Sequence, residues 1–181
     1  MLLTGEDAAA LEVCGRIESA VLVPLFVRGD ELHVVLTRRR DDLRRHAGEV
    51  SFPGGRRDAA DEDLRATALR EAHEEIGIPP AAVELVGALQ PTPTIATNYA
   101  VHPFVGLLEP GFAWEPSERE VAEVLELSLS ELRAGHGRRR MLRRGVPFRT
   151  EVYIVGETLV WGATARILSD LLDRVAAELA R

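Results

Sequence analysis

GGRRDAADEDLRATALREAHEEIGI, residues 54–78, reads as a glycine turn, an acidic loop and a helix that stops at a glycine. The apolar stripe Leu64, Ala68, Leu69, Ala72 and Ile76 has the helical period. Glu71, Glu74 and Glu75 fall within one turn of that helix, on an arc of about 100°. Glu71 and Glu75 border the apolar stripe and Glu74 lies further round, which predicts partial exposure for the first two. Like charges at this spacing cost a helix about 0.2–0.5 kcal/mol per pair. A cation can cancel that cost, and hard divalent ions take carboxylate oxygens. Taken alone, the three glutamates read first as a solvated acidic face.

The neighbouring residues change that reading. Arg70-Glu71-Ala72-His73-Glu74-Glu75-Ile76-Gly77-Ile78 resembles the Nudix box, R-E-U-x-E-E-x-G-U with U aliphatic, at every fixed position. The general box also places a glutamate six residues after a glycine and eight before the arginine. Here Asp61 meets the first spacing from Gly55 and Glu62 the second to Arg70, so this loop is one residue longer. The roles of Asp61 and Glu62 are therefore left open, while the helical glutamates are untouched.

Directly upstream, residues 35–55 resemble the signature of the coenzyme A pyrophosphatases within that superfamily, L-L-T-x-R-(S/A)-xxx-R-xxx-G-xxx-F-P-G-G. Thr37, Arg39, Arg44, Gly48, Phe52, Pro53, Gly54 and Gly55 are in register. Val35 replaces a leucine, and Arg40 stands where the signature has serine or alanine. The two motifs run together over Val35 to Ile78, and the length of the chain suits the family.

The resemblance implies a metal-dependent hydrolysis of a pyrophosphate bond. The pair Glu71 and Glu75, four residues apart, would chelate Mg2+ or Mn2+; Glu74 would take a second ion or bridge through water, and the Gly55 carbonyl would complete the metal site. Gly54 and Gly55 let backbone approach a ligand closely. Arg70 is spaced to pair with Glu74 and hold the glutamates. The general base is either Glu74 in the box or a distant acid, Glu120 ahead of Glu118, because Glu120 directly precedes an apolar strand. Arg39 and Arg44 carry the planar fork that suits phosphate, and coenzyme A has a 3′-phosphate besides its diphosphate. His46 and His73 receive no role. Trp161 and Tyr153 read as core aromatics, with a base or pantetheine pocket as the other use.

At 181 residues the chain predicts a single domain spanning 1–181, and 46% apolar content supports one ordinary core. No apolar run approaches the roughly 18 residues of a membrane span. The first residues lack the basic-then-apolar order of a signal peptide, and the single Cys14 forms no internal disulfide, which suits a cytoplasmic protein. A net charge of -7 argues against nucleic acid as a partner. It also means that an anionic substrate must be met locally, by metal and arginine. Arginines cluster at Arg38, Arg39, Arg40, Arg44 and Arg45, and again at Arg138, Arg139, Arg140, Arg143 and Arg144.

Along the chain, Thr4 to Cys14 reads as a helix. Ala20 to Val27 reads as a strand that Pro24 assigns to an edge or a bulge. A turn at Arg28-Gly29-Asp30 leads to Leu32–Thr37, its hairpin partner. Glu49–Phe52 is a short strand. The box helix runs from Asp63 to Ile76, with Gly77 as a left-handed cap. Val83–Leu89, Tyr99–Leu108 and the stretch from Val121 are strands, and the last leads into a short helix through Leu132. Gly135–Gly145 reads as a lid-like basic connection. Phe148–Val155 and Thr158–Trp161 form a hairpin, and Ala163–Leu179 is a helix with one apolar stripe. Strands between two substantial helices predict an α/β fold. The resemblance implies the same, as a Nudix-type α/β/α sandwich with a mixed central sheet.

The functional expectation is hydrolysis of coenzyme A and its derivatives. The first rival is a Nudix enzyme for ADP-ribose, NADH or nucleoside triphosphates, against which the upstream signature argues. The second is a Nudix-fold module that binds a nucleotide without cleaving it, against which the complete set of box glutamates argues.

Overall fold

The computed structural model describes Gly15 and residues 17–42, 48–94, 98–143 and 146–180. The expected helix at Thr4–Cys14, and Arg44, His46 and Arg144, lie outside the described residues.

The frame is an eight-stranded mixed sheet. Its central strand is β1 (Ile17–Arg28). On one side β1 forms an antiparallel hairpin with β2 (Glu31–Arg39), and on the other it runs parallel to β7 (Tyr99–Leu107). Strand β3 (Val50–Ser51) and β8 (Val121–Ser128) pair with β2, β4 (Gly54–Arg56) pairs with β1, and β5 (Glu84–Ala88) and β6 (Thr92–Pro93) pair with β7.

Pro24 therefore sits in a central strand, not at an edge. The antiparallel flank of β1 changes partner along its length: Ser19–Val21 pair with β4, and Leu25–Arg28 pair with β2. The Leu22 amide, two residues before Pro24, points to that flank and donates to the Pro53 carbonyl. Pro24 falls in the gap between the two partners, where a missing N–H costs no ladder bond.

Among the described residues, three α-helices cover the sheet: α1 (Leu64–Ile76), α2 (Leu129–Ala134) and α3 (Gly162–Leu179). The period-2 alternation of β1 separates two cores. Ala20, Leu22 and Phe26 pack on Ala68, Ala72 and Ile76 of α1. Val23 and Leu25 belong to the other core, with Leu129 and Leu132 of α2 and Ile167, Leu168, Leu171 and Leu172 of α3. That second layer also contains a small sheet, β9 (His136–Arg143), β10 (Val146–Val155) and β11 (Thr158–Trp161), in the order β11-β10-β9. The fold is the expected mixed α/β architecture. The basic segment read as a loose connection is instead strand β9, paired with β10 from Arg143↔Val146 to His136↔Tyr153. Its arginines hid this, because charged residues are depleted in strands and here the register comes from the partner.

Helix α1 is defined at both ends. Asp63 caps its start by accepting hydrogen bonds from the Arg65 and Ala66 amides at 2.8 and 2.9 Å. Gly77 ends it at φ 76°, and its amide donates to the His73 carbonyl at 3.0 Å.

Candidate active site

The sequence arranges the box glutamates on three levels of exposure. Glu75 is 6% exposed, deeper than the helical spacing suggested. Glu71 is half-buried and Glu74 is exposed. Burial pushes the Glu75 carboxyl up to about 8, because a charge there has lost its water; the nearby Glu71 and Glu120 charges add to the effect, while Arg39 and the Gly54 amide oppose it. Burial is also the main cause that raises Glu71. The Glu75 Oε2 atom is buried and accepts no hydrogen bond. An orphan of this kind is costly in a protein interior.

Arg70 organises the exposed side of the helix. Its Nε and Nη2 grip both oxygens of Asp61, at 2.9 and 3.0 Å. Its Nη1 donates to Glu71 at 3.0 Å and to Glu74 at 3.2 Å, and Nη2 also reaches the Arg56 carbonyl at 3.1 Å. The spacing to Glu74 was legible in the sequence; the bidentate hold by Asp61 was not. Asp61 is buried, accepts from the Asp58 amide at 2.9 Å and the Thr67 hydroxyl at 2.8 Å, and is held by the Arg70 guanidinium well below the usual carboxylate range. Asp61, six residues after Gly55, is thus the acidic partner of Arg70. Among the described residues, Glu62 contributes only a carbonyl, to Arg57 at 3.3 Å. The signal was available as the spacing from the glycine, and the extra residue beyond it obscured the choice.

The glycine pair brings strand β4 against the helix. A Cβ on Gly55 would stand 2.5 Å from the Glu71 carboxylate carbon. A Cβ on Gly54 would stand 2.4 Å from the Ala20 carbonyl oxygen. Both positions are therefore closed to any larger residue while the carboxylate lies on β4 and β4 lies on β1.

Glu118 and Glu120 come from a loop tied to the end of α1. The Ser117 amide donates to the Glu75 carbonyl at 2.8 Å, and the Glu115 amide to the Ile76 carbonyl at 3.1 Å. These contacts fill acceptors that a helix end leaves open. Arg40 fastens the same loop to β2: its amide donates to the Glu120 carbonyl at 3.1 Å and its Nη1 to the Glu118 carbonyl at 2.6 Å. That is the structural use of the arginine at the position where the signature has a small residue. The Glu120 carboxylate is half exposed and accepts from Arg39 at 3.4 Å. Glu120 is thereby brought into the field of Glu71 and Glu75; no such interaction involves the Glu118 side chain among the described residues.

Arg39, Phe52, Gly54 and Gly55 line a cavity of about 540 Å³ between the main sheet and the β10–β11 hairpin. Its remaining wall includes Tyr99, Phe148, Arg149 and Trp161. Trp161 therefore faces a cavity, whereas Tyr153 is core, 2% exposed. Among the described residues, no group of three histidine, cysteine, aspartate or glutamate side chains is already converged on one metal position. No described helix is long and apolar enough to cross a membrane.

Buried and half-buried carboxylates with an unpaired acceptor, braced by an arginine and packed against the Gly54–Gly55 strand, suit a phosphate-anhydride hydrolase. Residues 16–145 match the family model of the NUDIX domain, and the chain belongs to that family. It is a Nudix hydrolase. It is 43% identical over 162 residues to the uncharacterized Nudix hydrolase NudL of Enterobacter sp. (strain 638), covering 88% of this chain and 83% of that one. The NudL of Salmonella paratyphi B is 42% identical over 169 residues, covering 92% and 87%. The fold is similar to that of a C. elegans Ap4A hydrolase in a binary complex, with a TM-score of 0.61, 17% identity and coverage of 91% and 98%. It is also similar to the NUDIX domain of Shewanella oneidensis NrtR complexed with ADP ribose, with a TM-score of 0.59, 16% identity and coverage of 98% and 99%. At those identities the likeness carries the fold alone.

Proposed function

We propose that the protein cleaves the diphosphate of coenzyme A and its derivatives, releasing adenosine 3′,5′-bisphosphate and 4′-phosphopantetheine or its acyl form. One observation carries this reading. The residues that match the coenzyme A signature are continuous in space with the box: Arg39, Phe52, Gly54 and Gly55 line one cavity beside the α1 carboxylates. Its volume is in the range of small-molecule sites.

Glu71, Glu74 and Glu75 fit Mg2+ or Mn2+. The unpartnered Oε2 of Glu75 and the burial that raises both Glu71 and Glu75 are what a cation would relieve. When bound, the metal supplies neutralisation of the diphosphate charge and a more acidic water. Arg70 keeps Glu71 and Glu74 aimed while Asp61 fixes Arg70. Glu120 accepts the proton of the attacking water at its carboxylate, with Glu74 as the other candidate base. Arg39, beside both Glu120 and Glu75, binds the diphosphate oxygens. Arg44 would join it from the same signature.

A turnover screen with Mg2+ or Mn2+ over coenzyme A, ADP-ribose, NADH and the common nucleoside triphosphates tests the reading. Coenzyme A should lead. If ADP-ribose is cleaved equally well, the coenzyme A assignment is wrong and the Nudix hydrolase assignment stands.

A further inference from the structure

The cavity has a second wall, built by β10, β11 and α3. Side chains alternate along β10, so Phe148, Thr150 and Val152 share one face, and Trp161 of β11, opposite Val152, shares it too. Phe148, Thr150 and Trp161 line the 540 Å³ cavity. The Phe148 and Trp161 rings are 6.4 Å apart and tilted by 46°. Trp161 leads directly into α3, and Gly162, Ala163 and Thr164, in the first turn of that 18-residue helix, line the cavity as well.

A helix begins with amides that have no partner inside it, and its dipole adds positive character there. The side chains of α3 do nothing to satisfy that end. Trp161, at the cap, offers no side-chain hydrogen bond, and the first turn holds no acid. Gly162 leaves the approach open, since a Cβ there would meet nothing within 4 Å. Thr164 adds a separate observation. It is 9% exposed, yet among the described residues its hydroxyl has no hydrogen-bond partner, and a buried polar group is normally paired. Helix side chains tilt toward the N-terminus, so this hydroxyl is carried toward the cavity that Thr164 lines. Arg166 lines the same cavity, and its Nη2 donates to the Pro93 carbonyl at 2.5 Å. Asp170, the acid four residues on, is taken by Arg174 at 2.7 Å and by the Gln90 amide at 2.8 Å. Among the described residues Arg166 therefore has no carboxylate partner.

We propose that the first turn of α3 binds a phosphate monoester separate from the diphosphate under attack, through the Thr164 hydroxyl, the opening amides and Arg166, with the nucleoside base against Phe148 and Trp161. The proposal rests on the coenzyme A reading, and within it assigns the 3′-phosphate to α3 and not to Arg39. A helix start suits phosphate because its N–H groups and its dipole both face the anion. The aromatic faces suit a base because they stack without needing hydrogen bonds. Arg39, paired with Glu120, stays with the diphosphate.

The test compares kcat/KM for coenzyme A and dephospho-coenzyme A in the wild type, Thr164→Val, Arg166→Gln and Ala163→Asp. The wild type should prefer coenzyme A. Thr164→Val keeps the shape and removes the hydroxyl, and should lower kcat/KM for coenzyme A about 10–100-fold. Its loss on dephospho-coenzyme A should be smaller by about tenfold, and Arg166→Gln should show the same bias. Ala163→Asp separates an anion site from a folding defect. A carboxylate at a helix start is favourable to the helix, so Tm should hold or rise, while its charge repels phosphate and the preference for coenzyme A should disappear. Equal losses on both substrates in Thr164→Val and Arg166→Gln, or a preference that survives in Ala163→Asp, would overturn the assignment and leave the coenzyme A reading standing. If the wild type cleaves neither substrate, the coenzyme A reading falls, and calorimetry then decides the phosphate site. Adenosine 3′,5′-bisphosphate should bind the wild type more tightly than adenosine 5′-monophosphate, and the difference should shrink about tenfold in Thr164→Val. Equal affinity for the two nucleotides in the wild type would refute the site.

Discussion

Replacing Glu75 by glutamine should stabilise the metal-free protein while removing its response to metal. Glu75 is 6% exposed, and its carboxyl is pushed from 4.5 to about 8 by burial. At pH 7 the unfolded chain carries the charge comfortably and the folded chain does not. At about 1.4 kcal/mol per unit, the folding penalty at that pH is about 3 kcal/mol. Glutamine keeps the shape and drops the charge, but its amide must still find partners, so the expected net gain is about 1–3 kcal/mol. For a chain of this length that corresponds to a rise in Tm of about 3–10 °C. The sign follows from proton counting. Between 4.5 and about 8 the folded state holds a proton that the unfolded state has lost, so wild-type stability falls as pH rises through that window. The variant lacks that slope, and its advantage is greatest above pH 8 and fades toward 4.5. The assay is a set of thermal melts in EDTA from pH 5 to pH 9, repeated with Mg2+. Wild type should gain stability with Mg2+ by mass action, and Glu75→Gln should gain much less. Equal pH slopes in EDTA, or a variant that melts below the wild type at pH 8, would refute the argument that buried charge is what Glu75 costs the apo fold.

Asp61→Asn should cost about 2–4 kcal/mol, because it leaves Arg70 without its bidentate partner in a largely buried setting; urea titration reads this, and Mg2+ affinity should fall with it as Glu71 and Glu74 lose their brace. Because the Asp61 carboxyl is held below its ordinary 3.8, the pair's contribution is present above that value and is lost as pH falls below it, so acid unfolding of the variant should be shallower. Gly55→Ala should displace the Glu71 carboxylate, which lies 2.5 Å from the added methyl, and lower metal affinity about 10–100-fold with little change in Tm; unchanged affinity would remove Gly55 from the metal site. Glu120→Gln should slow turnover about 10²–10⁴-fold with metal affinity intact. If it does not, and Glu74→Gln loses activity while still binding metal, the base lies on α1.

What could be read from the sequence was local. The period of Leu64, Ala68, Ala72 and Ile76, the Asp63 cap, the stop at Gly77 and the grouping of three glutamates all follow from 3.6 residues per turn and a left-handed cap. The mixed α/β class followed from the order of such elements, and the Nudix family from the fixed spacing of the box. Where interactions crossed the chain, the sequence ran out. Pro24 looked like an edge marker, because its tolerance depends on a handover between β4 and β2 that no local pattern records. The β9 arginines looked like a loop, because their strand is defined by pairing with β10. Asp61 and Glu62 were equivalent as spacings, and only the fork of Arg70 on the buried Asp61 carboxylate separates them. The depth of Glu75, the tether that carries Glu120 toward it, and the cavity between the two sheets depend on surfaces brought together from distant parts of the chain. Helical periodicity is a property of neighbours along the backbone; burial, unpaired acceptors and facing charges are properties of neighbours in space.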